Sequence, residues 1–179
     1  MNKDELKQLY ILQVLGRGID SRDYAGMPAG ARKALEKRGA GYFLKPGERA
    51  KFTVALTGGA FDILHIGHLF TLERAKGLAD LLVVVVARDE TIRMRKKREP
   101  IHHEDYRRRM VEALKPVDLA IVGGSNALET VARVSPDLVV YGYDQKPFVK
   151  SGGFKSVKLR GHMQKHKYKT SKIIRELEL

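Results

Sequence analysis

Apolar residues recur at helical spacing over residues 4–16, Asp-Glu-Leu-Lys-Gln-Leu-Tyr-Ile-Leu-Gln-Val-Leu-Gly. Acids open this segment and Gly16 and Gly18 can close it, so it predicts a helix. A second helix is expected from Pro28 to Arg38, ended by Gly39 and Gly41, followed by a short strand at Tyr42–Leu44 and a turn at Lys45-Pro46-Gly47. From Thr53 the pattern changes. Short apolar runs, read as strands at Val54–Thr57, Leu81–Ala87, Leu119–Val122, Leu138–Tyr141 and Val157–Leu159, alternate with amphipathic stretches. Those stretches predict helices at Gly67–Leu78, Glu104–Leu114 and Ala127–Val134, with a last helix capped by Thr170 or Ser171. Strand–helix alternation calls for a parallel sheet covered by helices. The expected fold is therefore α/β, a Rossmann-like doubly wound parallel sheet over residues 53–179, with a small, mainly helical extension over residues 1–52. Such sheets bind ligands beyond the carboxyl ends of their strands, which points to the loops 57–68, 88–98 and 142–146.

Composition narrows the chemistry. The 179 residues contain no cysteine, which removes disulfides, thiolate metal sites and cysteine nucleophiles. The longest apolar run, Leu81–Ala87, is far too short to span a bilayer, and the charged N-terminus resembles no leader, so a cytoplasmic protein is expected. The net charge of +13 is unevenly placed: residues 1–52 hold 11 Lys and Arg against 6 acids, residues 53–144 hold 13 against 13, and residues 145–179 hold 10 against 2. The middle of the chain is neutral and the basicity lies at its ends.

The most specific local signal is Thr-Gly-Gly-Ala-Phe-Asp-Ile-Leu-His-Ile-Gly-His at 57–68. It runs from a strand through a Gly-rich turn into a helix. Gly58 and Gly59 allow a tight turn and close approach of a ligand, and Gly67 leaves room for a polyphosphate against the backbone. His65 and His68, three apart, are expected to project from one face of the first helical turn, where unpaired N–H groups and the helix dipole attract an anion.

This segment resembles the nucleotidyltransferase superfamily with the H-x-G-H signature. Further stretches resemble its cytidylyltransferase-like branch, especially archaeal FAD synthetases and glycerol-3-phosphate cytidylyltransferases: Val85–Thr91, Arg98–Ile101, Arg107 through Asp118, Gly142-Tyr143-Asp144-Gln145 and Thr170–Ile173. The resemblance implies transfer of AMP or CMP from a nucleoside triphosphate to a phosphate-bearing small molecule, with release of pyrophosphate. FMN is the first acceptor to consider and glycerol 3-phosphate the alternative.

The same resemblance implies roles for individual residues. His65 and His68 would stabilise charge developing on the triphosphate. Gly59, Ala60 and Phe61 would approach the nucleotide through their backbone, and Gly142 and Asp144 would reach the nucleoside. Asp62 would either cap the following turn or touch substrate. One of Lys96 and Lys97, in the basic run Arg93–Arg98, would meet phosphate, as would Arg107. Thr170 and Ser171 match the hydroxyl-bearing end motif, although the preceding Gln164–Lys169 departs from the R-T-E-G-I-S of cytidylyltransferases. His102, His103, His162 and His166 lack metal-ligand spacing, so no protein-held metal is expected, and Mg²⁺ would travel with ATP or CTP. A homodimer is expected by the same likeness.

The basic segment Ala31–Gly39 and Tyr42–Leu44 resemble a reduced winged helix-turn-helix, with Lys33 and Lys37 on one face. The extension is read first as a packing or dimerisation element. Its second reading, a nucleic-acid contact, would make the chain a regulator that uses the fold as a nucleotide sensor.

Overall fold

The computed structural model describes residues 1–143, 145–147, 149, 153–160 and 173. The chain forms two compact units, Met1–Thr53 and Val54–Leu179.

The first unit contains α1 (Lys3–Gly16), α2 (Ser21–Gly26), α3 (Ala29–Ala34), β1 (Leu35–Arg38), β2 (Gly41–Leu44) and a one-turn α4 (Pro46–Arg49). Helix α1 opens with a capping box, Asn2 accepting from the Glu5 N–H while the Glu5 carboxylate accepts from the Asn2 N–H. Its last residue is Gly16, as expected, and Arg17 caps it in the left-handed region at φ 57°, just ahead of Gly18. Leu6, Tyr10 and Val14 are fully buried on one side of the helix.

The expected second helix is corrected here. Its first half is α3, but Leu35–Arg38 is extended and pairs antiparallel with Gly41–Leu44, Leu35 opposite Leu44 and Arg38 opposite Gly41. Helical propensity loses because the connection is a two-residue hairpin whose first central residue, Gly39, takes φ 58° at no steric cost. Extended backbone also buries Leu35 and Leu44 together. Lys33 and Lys37 therefore do not share a helical face.

The second unit runs β3 (Val54–Gly59), α5 (Ile66–Lys76), β4 (Leu81–Val86), α6 (Asp89–Lys96), α7 (Glu104–Glu112), β5 (Leu119–Val122), α8 (Ala127–Val134), β6 (Leu138–Tyr141) and β7 (Lys155–Lys158). The five strands form one parallel sheet in the order β5-β4-β3-β6-β7, the Rossmann-like arrangement. Alternate residues Ala55, Leu82, Val84, Val86, Ala120 and Val140 pack with Leu72 and Ala75 of α5 and Val111 of α7. Their neighbours Leu56, Val83, Ile121 and Val139 are also buried, which is why the strands read as continuous apolar runs.

Two aspartates fix the amino ends of the central strands. Asp137 accepts from the Val54 N–H at 2.7 Å and returns its own N–H to the Val54 carbonyl, and Asp118 does the same for Leu82. Two further corrections apply. Residues 89–96, expected as loop, form α6, and β7 begins at Lys155 rather than Val157. Among the described residues no helix is long and apolar enough to cross a membrane.

Candidate active site

Strand β3 ends at Gly59, and the chain turns there through Ala60, Phe61 and Asp62 toward α5. Phe61 is in the left-handed region at φ 51°, a conformation costing about 1–2 kcal/mol for a residue with a side chain. Burial of its ring offsets that cost. The ring lies so close to Gly59 that a Cβ there would meet it at 3.0 Å. Its other neighbour is His68, with ring centroids 5.0 Å apart. Gly59 is thus a glycine because of Phe61 as well as any ligand.

His65 occupies the N-cap of α5 with extended backbone at φ −147°, so it stands just outside the helix, while His68 lies within the first turn. The two rings nevertheless come together, stacked at 3.8 Å between centroids and 24° between planes. No side chain caps this helix end, so the aligned N–H groups around Ile66 and Gly67 face outward beside two imidazoles. That is a concentration of donors suited to an anion.

Buried charge holds this turn in place. Asp62 is completely buried; its Oδ1 accepts from the Ile101 and His102 N–H groups at 2.9 and 3.1 Å, and its Oδ2 pairs with the Arg98 guanidinium at 2.6 Å. It therefore ties the Gly-rich turn to residues 98–102, a task different from the cap or substrate contact expected of it. Arg107 is likewise fully buried. Its guanidinium donates to the Ala60 carbonyl, to the His102 carbonyl at 2.8 Å and to Asp89 Oδ1 at 2.6 Å. Expected on phosphate, Arg107 instead joins the Gly-rich turn, the start of α6 and the start of α7. Asp89 adds one more tie, its N–H donating to Glu104 Oε2 at 2.6 Å.

The other flank of β3 is closed by a residue that sequence reasoning passed over. Gln145 donates to the Gly58 carbonyl at 2.8 Å and accepts from the Gly142 N–H at 2.9 Å, stapling the carboxyl ends of β3 and β6. A Cβ at Gly142 would find only ordinary contact with Gln145. Asp144, Thr170 and Ser171 lie outside the described residues. The signal for Gln145 was available in Gly-Tyr-Asp-Gln; the signal for Arg98 was hidden by its neighbours in a basic run.

Of that run, Arg93 is bound by Glu99 through both carboxylate oxygens at 2.9 and 3.0 Å, and Arg98 turns inward. Lys96, the last residue of α6, and Lys97, in the left-handed position at its end, are exposed. They form no ion pair with a described residue. Among the described residues no three His, Asp or Glu side chains cluster as metal ligands.

This arrangement has relatives. A family model described as cytidylyltransferase-like matches residues 56–176, leaving the whole of the first unit outside it. An FAD synthase of Thermococcus onnurineus (strain NA1) is 42% identical over 121 residues, which is 66% of this chain and 75% of that protein. The crystal structure of a lipopolysaccharide core biosynthesis protein from Thermoplasma volcanium GSS1 superimposes with a TM-score of 0.55 at 36% identity, covering 61% of this chain and 97% of the other. A Gly-rich turn, a histidine pair at an open helix end and a match of this extent agree: the chain belongs to the cytidylyltransferase-like family and is a nucleotidyltransferase.

Proposed function

We propose that the chain transfers AMP from ATP to the phosphate of FMN, forming FAD and pyrophosphate. The observation that carries the reading is the His65–His68 pair stacked at the uncapped end of α5. The choice of FMN and ATP is supported by the identity to an FAD synthase. The FMN phosphate is largely dianionic at neutral pH because its second pKa is about 6, so it needs orientation more than a base. One of its oxygens attacks the α-phosphorus. A new P–O bond forms, the bond from the α-phosphorus to the bridging oxygen breaks, and its electron pair leaves on pyrophosphate. In this reading the imidazoles and the α5 N–H groups meet the charge that accumulates and so stabilise the transition state above the ground state. Lys96 or Lys97 neutralises the departing phosphates. Thr170, Ser171 and Asp144 complete the substrate contacts in this reading.

Mg²⁺ enters as the nucleotide's counter-ion. The nearby carboxylates do not offer it a protein site, because Asp62 and Asp89 are buried and committed to Arg98, Arg107 and main-chain N–H groups. The same reading places the reaction in the cytoplasm and the protein in a homodimer, which sedimentation equilibrium of the purified chain tests. A second reading, CMP transfer from CTP to glycerol 3-phosphate, is favoured by the cytidylyltransferase-like description of the matched family.

Pyrophosphate release measured with Mg²⁺ and ATP or CTP, across FMN and glycerol 3-phosphate, separates the two. Turnover with ATP and FMN that is lost in His65→Ala is the expected result. Turnover confined to CTP and glycerol 3-phosphate overturns the FMN reading in favour of the second, and absence of release with every pair overturns both.

A further inference from the structure

The first unit has an architecture of its own. Helix α1 is followed by Ile19, whose N–H and carbonyl exchange hydrogen bonds of 2.9 and 2.8 Å with Tyr42 on β2. Then come α2, α3 and the β1–β2 hairpin, so the order is helix, bridging strand residue, helix, helix, hairpin, with the bridge laid on the hairpin's second strand. That connectivity is the one in which a helix-turn-helix carries a β wing. Close packing enforces it. Gly18, at φ 118°, and Gly41 touch backbone to backbone, and a Cβ on Gly18 would strike the Phe43 ring at 2.8 Å. Tyr24 of α2 stacks on Tyr42 at 3.7 Å and 6°, fixing the second helix to the wing.

Charge is sorted on this frame. Between residues 17 and 45 there are seven Lys and Arg against three acids. Two of the acids sit at the start of α2, where Asp20 accepts from the Asp23 N–H, and the third, Glu36, pairs with Arg38. Arg32 and Lys33 end α3, Lys37 and Arg38 reach the hairpin turn, and all four are exposed. Arg32, Lys33 and Lys37 form no ion pair with a described residue. Folding has therefore placed uncompensated cations on the third helix and the wing, the two parts that meet a duplex in this architecture.

The composition of α3 says how a duplex is read. Base recognition in this architecture comes from the amino-terminal residues of the third helix, and here those are Ala29, Gly30 and Ala31, none of which carries a hydrogen-bonding side chain. At six residues the helix is only about 9 Å long. Phosphate contacts remain and base contacts do not.

We propose that residues 1–53 bind double-stranded DNA through its phosphates, without reading base sequence. This stands independently of the acceptor chosen by the other unit.

The test uses the full chain and fluorescence anisotropy with a labelled 25-base-pair duplex over a salt series. Arg32→Gln, Lys33→Gln, Lys37→Gln and Arg38→Gln, made together, are expected to weaken binding at least tenfold. They should also lower the log–log salt slope by up to about 3.6, since each phosphate contact contributes about 0.9. The two halves, Arg32→Gln with Lys33→Gln and Lys37→Gln with Arg38→Gln, are each expected to remove part of the slope, which keeps the test decisive if the fourfold variant misfolds. Scrambling the duplex should change affinity by less than about threefold, against the 1–3 kcal/mol that one lost base contact costs. Lys155→Gln with Lys158→Gln, exposed cations of the basic C-terminal region, should bind as the wild type does. Unchanged slope in the unit-one variants, a loss confined to the Lys155 and Lys158 variant, or stronger binding to single strands overturns the proposal.

Discussion

The loops around the Gly-rich turn and the segment of the first unit formed by α3 and the hairpin are both rich in lysine and arginine, and they use them in opposite ways. Arg107 is 0% exposed and bonds through each of its three guanidinium nitrogens, to two carbonyls and Asp89; Arg98 leans on the buried Asp62. Arg32 and Lys33, with Lys37 beyond them, point into water unpaired. A buried guanidinium is tolerable only when partnered, and once partnered it has nothing left for a ligand: it becomes a strut. A solvated one costs little and stays available for phosphate. Charge in a sequence therefore does not locate the chemistry until burial is known. Within the electrically balanced residues 53–144, Asp62 with Arg98 and Asp89 with Arg107 hold the turn together from within.

Arg107→Ala leaves Asp89 buried without its partner, and urea denaturation should show a loss of about 3–5 kcal/mol together with loss of turnover. Stability within about 1 kcal/mol of wild type would place Arg107 with the exposed cations instead. A smaller effect is expected for Asp62→Ala, which strips an acceptor from Ile101, His102 and Arg98: about 1–3 kcal/mol in stability, with a fall of up to 100-fold in kcat/KM as the turn loses its tie. The smallest change in stability, within about 0.5 kcal/mol, is expected for Lys96→Ala and Lys97→Ala. Steady-state kinetics separate the two, because replacing the lysine that meets phosphate raises KM for the nucleotide and replacing the other leaves it unchanged.

Much of the second unit was legible along the chain. β5, α8 and β6 fall on the residues expected of them because each is a short apolar run or a full amphipathic turn bounded by clear breakers. The pairing of His65 with His68 was legible too, although His65 stands outside the helix. The roles of Asp62 and Arg107 were not, since sequence reports that a residue can bind an anion or cation and is silent on whether its partner comes from the protein. Leu35–Arg38 misled for a related reason. Leu-Glu-Lys-Arg suits a helix locally, and only pairing with Gly41–Leu44 makes the extended form better.

Sheet order has a consequence in time. Thr57 bonds to Val140 and Gly58 to Gln145, contacts spanning 83 and 87 residues, so β3 acquires its second neighbour long after β4 has closed its first. Loops of that length are slow to close and gain nothing until they do. On the ribosome, at about 5–20 residues per second, the Gly-rich turn waits several seconds for the segment that completes it. The carboxyl ends of β3 and β6 are therefore joined late, and a nascent chain lacking Gln145 holds the Gly-rich turn without the side chain that ties Gly58 to Gly142.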